Sequence, residues 1–199
     1  MKWLSRWSKG MRRSILLPLA VCVAVPAKAL VIDTYPDWTG SITGGWLAQA
    51  QNFIGPSDNV LNSWRFSLAA GTGNVTFSIF NWSASGPVGS ALFSTTAPWP
   101  STDSPVDINN INLTLVQGNS YGAVVDLQGQ SGNSVHFNNN QNSYNLGNGW
   151  WMNSAGWNNF AGLNQTFRAV FSPVPEPASM IAIGVGLAGL FARRKRRSS

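Results

Sequence analysis

Apolar residues occupy every second position in several stretches of the chain, and this pattern restricts the fold more than any other feature. In the clearest stretch, Trp64, Phe66 and Leu68 alternate with Arg65 and Ser67. Successive side chains of a β-strand point to opposite faces, so the alternation predicts strands with one buried face. The same pattern occurs at 75–79, 111–115, 121–127, 135–137 and 167–171.

Composition favours the same class of structure. Residues 30–172 contain neither Lys nor Glu, which are strong helix formers, but hold all 20 Asn and 16 of the 20 Gly of the chain. Clusters of turn-forming residues separate the predicted strands, as at 71–74 and 117–119. We therefore predict an all-β domain over 30–172, an antiparallel β-sandwich or jelly roll. A signal-peptide helix is expected before it and a hydrophobic helix after it.

Charge is divided unevenly along the chain. Residues 1–29 carry six basic residues and no acidic one, and residues 173–199 carry five basic residues and Glu176. The stretch between them holds Arg65 and Arg168 against six Asp, so it is mildly acidic although the whole chain has a formal charge of +6. Nucleic-acid binding needs basic residues clustered on the folded domain. We therefore expect no nucleic-acid partner.

The N-terminal segment, 1–29, has the layout of a secretory signal peptide. A basic part precedes a short apolar stretch, 14–26, and Ala27 and Ala29 satisfy the small-residue rule of signal peptidase. We predict that signal peptidase cleaves before Leu30 and that the rest of the chain is exported. Retention of the segment as an N-terminal anchor is the alternative.

The C-terminal segment, 173–199, has three parts. The first is a stiff, extended tetrapeptide, because Pro fixes φ and disfavours helix at the preceding residue; it comprises Val174, Pro175, Glu176 and Pro177. The second is an uncharged apolar run, 178–192, which as a helix would be about 22 Å long. We predict a transmembrane helix that falls short of the roughly 30 Å hydrocarbon core. The third part is a basic stop signal that should stay cytoplasmic; it comprises Arg193, Arg194, Lys195, Arg196 and Arg197.

This three-part arrangement resembles the PEP-CTERM sorting signal of Gram-negative bacteria. The resemblance implies that a membrane protease, exosortase, processes the chain near Pro-Glu-Pro after a transient stay in the inner membrane. It also implies delivery to the cell surface or exterior, in an exopolysaccharide or biofilm matrix. A plain tail anchor is the alternative. The phrases 58–64 and 165–169 are similar to those of uncharacterised β-sandwich domains of the same family, which confers no known activity.

Catalysis and metal binding have little support in the sequence. His136 is the one His of the chain and has no acidic neighbour in sequence. Glycosidases generally need two carboxylates, and no spacing singles out a pair among the six Asp. We expect no enzymatic activity and no metal or cofactor, with a structural Ca²⁺ held by Asp oxygens as the alternative. The six are Asp33, Asp37, Asp58, Asp103, Asp107 and Asp126.

Trp150, Trp151 and Trp157 are the candidate ligand-binding residues. They lie in segment 133–159, where 10 of 27 residues are Asn. Indole faces stack on sugar C–H surfaces and Asn amides bond hydroxyls, so the pattern indicates carbohydrate binding. The alternative is that these rings close one end of the sandwich. The predicted function is an exported, non-catalytic protein of the cell surface or matrix. A carbohydrate-binding module that recognises exopolysaccharide is the second hypothesis, and a secreted hydrolase built on Asp is the third.

Overall fold

The computed structural model describes residues 29–37, 40–44, 46–127, 133–138 and 144–173. Nearly all regular structure in these ranges is strand, with one turn of 3-10 helix at Tyr35–Asp37. The strands are β1 (Leu30–Asp33), β2 (Gly40–Gly44), β3 (Ala48–Ile54), β4 (Val60–Leu68), β5 (Asn74–Ser83), β6 (Gly86–Pro98), β7 (Ser104–Ile108), β8 (Leu113–Thr114), β9 (Ser120–Asp126), β10 (Asn133–Asn138), β11 (Gly149–Asn153), β12 (Gly156–Phe160), β13 (Asn164–Gln165) and β14 (Phe167–Ser172).

The two terminal helices that we predict, over 1–29 and 178–192, lie outside these ranges. Within them, the structure has no helix with the length and hydropathy needed to cross a membrane.

The first sheet, called sheet A here, is built around β4. On one side of β4 lies β14 and then β1, and on the other side β7 and β8 pair with successive parts of the strand. The far end of β4 contacts β10, which also pairs with β13 and β2. Sheet A thus counts eight strands within the described residues, all paired antiparallel.

The second sheet, sheet B, has six strands within the described residues, in the order β12-β11-β3-β9-β5-β6. Every neighbouring pair is antiparallel. Sheets A and B together confirm the predicted all-β antiparallel sandwich.

The main core lies between the two sheets and is formed by the alternating residues that the sequence singles out. Phe77 and Phe167 are fully buried and Trp64 is 2% exposed. Trp64 stacks on Phe167 with ring centroids 4.7 Å apart and contacts Phe53 of sheet B at 5.2 Å. Phe66 of sheet A stacks on Phe77 of sheet B at 5.8 Å. Aromatic contacts therefore join the sheets directly.

One predicted strand, 111–115, is mostly wrong as secondary structure. Only Leu113–Thr114 is a strand, because Asn110 and Asn112 adopt positive φ angles of 59° and 50° that interrupt the extended backbone. Asn tolerates this left-handed region better than most residues. Ile111 and Leu115 are still buried. The spacing of apolar residues therefore predicts the buried positions correctly here, although the backbone does not form a continuous strand.

Candidate functional site

Trp150 and Trp151 are adjacent in β11, so they point to opposite faces of sheet B. Trp150 packs with Trp157 in a cluster on the outer face of the sheet. Trp151 pairs with Gln49 of β3, whose side chain reaches Gln165 of sheet A. Of the three candidate residues, Trp150 and Trp157 therefore lie on one face of sheet B and Trp151 lies on the other.

Trp82, Trp150 and Trp157 form what we call the outer tryptophan cluster. The Trp82 ring lies edge to face with both others, with centroids 5.4 Å from Trp150 and 5.3 Å from Trp157. Trp82 covers Gly122 so closely that a Cβ there would lie 2.0 Å from its ring. Trp82 and Trp150 are each 6% exposed, whereas Trp157 is half-buried. Trp157 is thus the member of the cluster that solvent reaches.

Of the indole N–H groups of Trp150 and Trp82, one has a hydrogen-bond acceptor and the other has none. Trp150 Nε1 donates to Asn52 Oδ1 at 3.2 Å. Trp82 Nε1 is buried and has no hydrogen-bond partner. A buried N–H without an acceptor is unfavourable by about 1–3 kcal/mol. The Trp82 N–H is therefore an unsatisfied donor inside the cluster, and it does not face solvent.

The surroundings of the cluster on the outer face are almost uncharged. Strand registers place two rows of side chains across this face. One row is Asn159, Trp150, Ala50, Val124, Ser78 and Ser94; the next is Trp157, Met152, Ala48, Asp126, Thr76 and Thr96. Amides and hydroxyls outnumber the single carboxylate. Such a surface recognises ligands by stacking and neutral hydrogen bonds.

Trp151 belongs to a second aromatic group with Trp46 and Phe160. The Trp46 ring centroid lies 6.1 Å from that of Trp151 and 5.5 Å from that of Phe160, and the last two are 5.9 Å apart. All three are half-buried, and Trp46 and Phe160 pack against the main core. This group fits the alternative that large aromatics cover the sandwich.

A row of buried amides, which the sequence analysis does not single out, crosses between the sheets. Gln51 Nε2 donates to Asn164 Oδ1 at 2.9 Å, and Gln51 Oε1 accepts the backbone N–H of Gln165 at 2.8 Å. Gln165 Nε2 donates to Gln49 Oε1 at 3.3 Å. Gln49, Gln51 and Phe53 alternate along β3, so their side chains point to the same, inward face. Two polar residues at such core positions are the sequence feature from which the row could have been predicted.

Gln51→Leu should destabilise the domain by about 2–4 kcal/mol, because each buried group left without a partner costs about 1–3 kcal/mol. The two groups are the Gln165 N–H and the Asn164 Oδ1. Denaturant unfolding of the processed protein measures the change. Gln117→Leu, in an exposed turn, is the control and should stay within about 0.5 kcal/mol of the native protein. Equal stability of the two variants would show that the amide row is not structural.

Asp33, Asp103 and Asp107 each have a structural partner. Asp107 accepts two hydrogen bonds from Arg65, at 2.6 and 2.9 Å, and Asp33 Oδ2 lies 3.6 Å from Arg168 Nε. Asp103 Oδ1 accepts the backbone N–H of Ala70 at 2.7 Å. Within the described ranges, no group of three or more His, Cys, Asp or Glu could hold a metal ion.

Several predicted site residues are not placed by the structure. His136 pairs through its backbone with Ser41, but its side chain lies outside what the structure describes. Ala27 lies outside the described residues, whereas Ala29 is described and exposed. The sorting tetrapeptide, 174–177, and the basic stop signal, 193–197, also lie outside the described residues.

The C-terminal segment matches the PEP-CTERM protein-sorting motif over residues 173–197. The chain therefore carries this sorting motif, as the sequence resemblance predicts. The motif implies an exported protein that is processed by exosortase and anchored transiently in the membrane. Nothing among curated proteins matches the chain.

Solved structures similar to this chain include two of Cwp84. One contains the cysteine protease and lectin-like domains of this surface layer associated protein of Clostridium difficile, with a TM-score of 0.56 and 10% identity over 73% of this chain. The other is the clostridial cysteine protease Cwp84 after propeptide cleavage, with a TM-score of 0.55, 10% identity and the same coverage. This chain covers 36% and 40% of their lengths. At this identity the likeness shows the fold alone, an antiparallel β-sandwich.

Proposed function

We propose that this chain is an exported, non-catalytic protein of the cell surface or extracellular matrix, in an exopolysaccharide or biofilm setting. The observation that carries the proposal is the position of the sorting motif. It begins at residue 173, directly after β14 ends at Ser172. The β-sandwich is therefore the cargo that immediately precedes the processing signal.

A non-catalytic role is supported by the way three of the six Asp are used. Asp33, Asp103 and Asp107 form ion pairs or accept backbone N–H groups, which are structural tasks. A glycosidase would place two carboxylates across one scissile bond. The arrangement of these three groups supports binding or structural service rather than hydrolysis.

The proposed location is tested by fractionating the producing cells. We expect the processed protein in the surface and matrix fractions, and we expect enzymatic digestion of the polysaccharide to release part of it. Recovery of the processed protein in the periplasm alone, with no change on digestion, would contradict the proposal. A periplasmic marker protein provides the control for leakage.

Carbohydrate binding is the second candidate function, and the outer tryptophan cluster favours it. The cluster combines the partly exposed Trp157 ring with a nearly neutral surround of amides and hydroxyls. A pyranose ring presents apolar C–H faces and uncharged hydroxyls, which match these groups. The fold supports the same interpretation, since the structurally similar Cwp84 carries a lectin-like domain.

Trp157→Ala should weaken binding to the neutral polysaccharide of the producing cells by about three- to ten-fold, because one stacking surface is lost. Affinity electrophoresis of the processed protein measures the change. Trp157→Phe retains an aromatic face and should recover part of the affinity. Leu146→Ala removes another exposed apolar side chain and should change nothing. Unchanged retention of a folded Trp157→Ala variant would remove the outer tryptophan cluster as the site.

A further inference from the structure

The two Arg residues of stretch 30–172 are direct neighbours on the outer face of sheet A. Arg65 of β4 is the register partner of Arg168 of β14. Beyond Arg168 lies Asp33 of β1, and beyond Arg65 lies Asp107 of β7. Their flanking residues point into the core, so these four side chains share the outward face. We call this line of four charged residues the arginine row.

The row places its two positive charges next to each other, which does not favour the stability of the sheet. Like charges directly opposite each other destabilise neighbouring strands, whereas an alternating order would make every contact attractive. The chain has only Arg65 and Arg168 as formally positive residues in 30–172. Both guanidinium groups therefore lie at one point of the surface, each with a carboxylate on its other side, so the row as a whole has no net formal charge. Adjacent guanidinium groups are suited to binding an oxyanion.

Arg168 is the member of the row with hydrogen-bonding capacity to spare. Arg65 donates through Nε and Nη2 to both carboxylate oxygens of Asp107. Arg168 Nε is buried, lies 3.6 Å from Asp33 Oδ2 and makes no hydrogen bond, so a ligand would have to bind the two Nη groups. The other oxygen of Asp33 accepts the backbone N–H of Tyr35 at 3.0 Å. With its side chain 41% exposed, Arg168 is open to a ligand.

An aromatic side chain lies next to the row. The Tyr35 hydroxyl forms a 2.8 Å hydrogen bond with Ser67 Oγ, and Ser67 shares the outward face two residues after Arg65. Burial raises the pKa of Tyr35 to about 12, so the phenol stays neutral and does not repel an anion. The Tyr35 side chain therefore reaches β4 on the same face as Arg65.

We propose that Arg168, supported by Arg65, binds the carboxylate groups of an acidic polysaccharide. The two Nη groups of a guanidinium form a planar pair that matches the two oxygens of a carboxylate. Arg65 contributes positive potential while it stays paired with Asp107. The inference rests on the proposed matrix location, and it uses the outer face of sheet A rather than the outer tryptophan cluster of sheet B. The protein would thus contact acidic and neutral polymer through different sheets.

Retention of the processed protein on polygalacturonate, with dextran as the neutral polymer, tests the inference. We expect Arg168→Gln to weaken retention on polygalacturonate by about ten-fold or more, the effect of losing a hydrogen bond to a charged group. Retention of the native protein should fall at about 0.5 M salt, because exposed charges are screened. Galacturonate oligomers should compete with the polymer, whereas acetate should not. Equal competition by acetate would overturn the assignment to a polysaccharide.

Two further variants distinguish binding at a specific site from attraction by the net charge of the protein. Arg168→Gln combined with Thr96→Arg restores the net charge on the outer face of sheet B, and we expect it to bind as weakly as Arg168→Gln alone. Arg168→Lys keeps the charge without the planar donor pair and should be intermediate. Recovery of binding by the double variant would overturn the inference. So would an Arg168→Gln protein that has a lower melting temperature but unchanged retention, because the row would then be structural only.

The failure of this inference differs from the failure of the proposed function. If the native protein binds the matrix of the producing cells and Arg168→Gln binds it equally, the arginine row is not the site while the matrix role stands. If the native protein binds neither polygalacturonate nor that matrix, the inference and the matrix role fail together.

Discussion

Replacing Pro175, Glu176 and Pro177 with three Ala residues should leave nearly all of the chain unprocessed in the membrane fraction. Pro fixes φ and disfavours helix at the preceding residue, so we expect the two Pro to favour an extended segment, which a protease can bind as a strand. Ala is a strong helix former, so three Ala would remove that preference. The substitution thus removes both the acidic side chain and the preference for an extended backbone, and we expect exosortase processing to depend on them.

Cell fractionation and intact-mass measurement check this result. The native chain should yield a product that has lost its C-terminal segment, whereas the triple-Ala variant should keep residues up to Ser199. Pro98→Ala, at the exposed end of β6, is the control and should be processed normally. Normal surface delivery of the triple-Ala variant would contradict the role of the tetrapeptide.

Trp64→Ala should lower the free energy of unfolding by about 3–5 kcal/mol, the usual effect of truncating a buried aromatic residue to Ala. Trp64 is 2% exposed, stacks on Phe167 and contacts Phe53 of the opposite sheet. The variant therefore loses contacts within sheet A and across the sandwich. Because domains of this size are stable by about 5–15 kcal/mol, much of the protein would unfold under mild conditions.

Equilibrium denaturation followed by circular dichroism measures the effect on the processed protein. Trp64→Phe keeps most of the aromatic area and should lose less stability than Trp64→Ala. Val116→Ala, at a side chain that is 60% exposed, should stay within about 0.5 kcal/mol of the native protein. A loss below about 1 kcal/mol for Trp64→Ala would show that the two sheets do not depend on this ring.

The strands could be predicted well where alternation was strict. In β4, β5, β9 and β14 the alternating apolar residues are the ones that are buried. Successive side chains of a strand point to opposite faces, so only one arrangement of the strand buries all of them. Segment 111–115 had the same alternation but is largely irregular. There Asn110 and Asn112 break the strand, and their local backbone preference outweighs the apolar spacing.

The candidate site could be predicted only as a set of residue types. Trp150 and Trp151 looked equivalent in sequence, but one is buried in the outer tryptophan cluster and the other contacts Trp46 and Phe160. Trp82 completes the outer cluster although it is far from Trp157 in sequence. Such contacts depend on which strands become neighbours, and strand order is not encoded in local periodicity.

By itself the sequence determined the all-β class, the inward parity of the core and the sorting motif, because each depends on residues close together along the chain. The tertiary structure alone decided which tryptophans share a face, that Gln51 bonds Asn164, and that Arg65 lies beside Arg168. These contacts follow from the register between strands distant in sequence. That register is set by the packing of the whole sandwich, since a shift of one residue would turn every buried side chain outward.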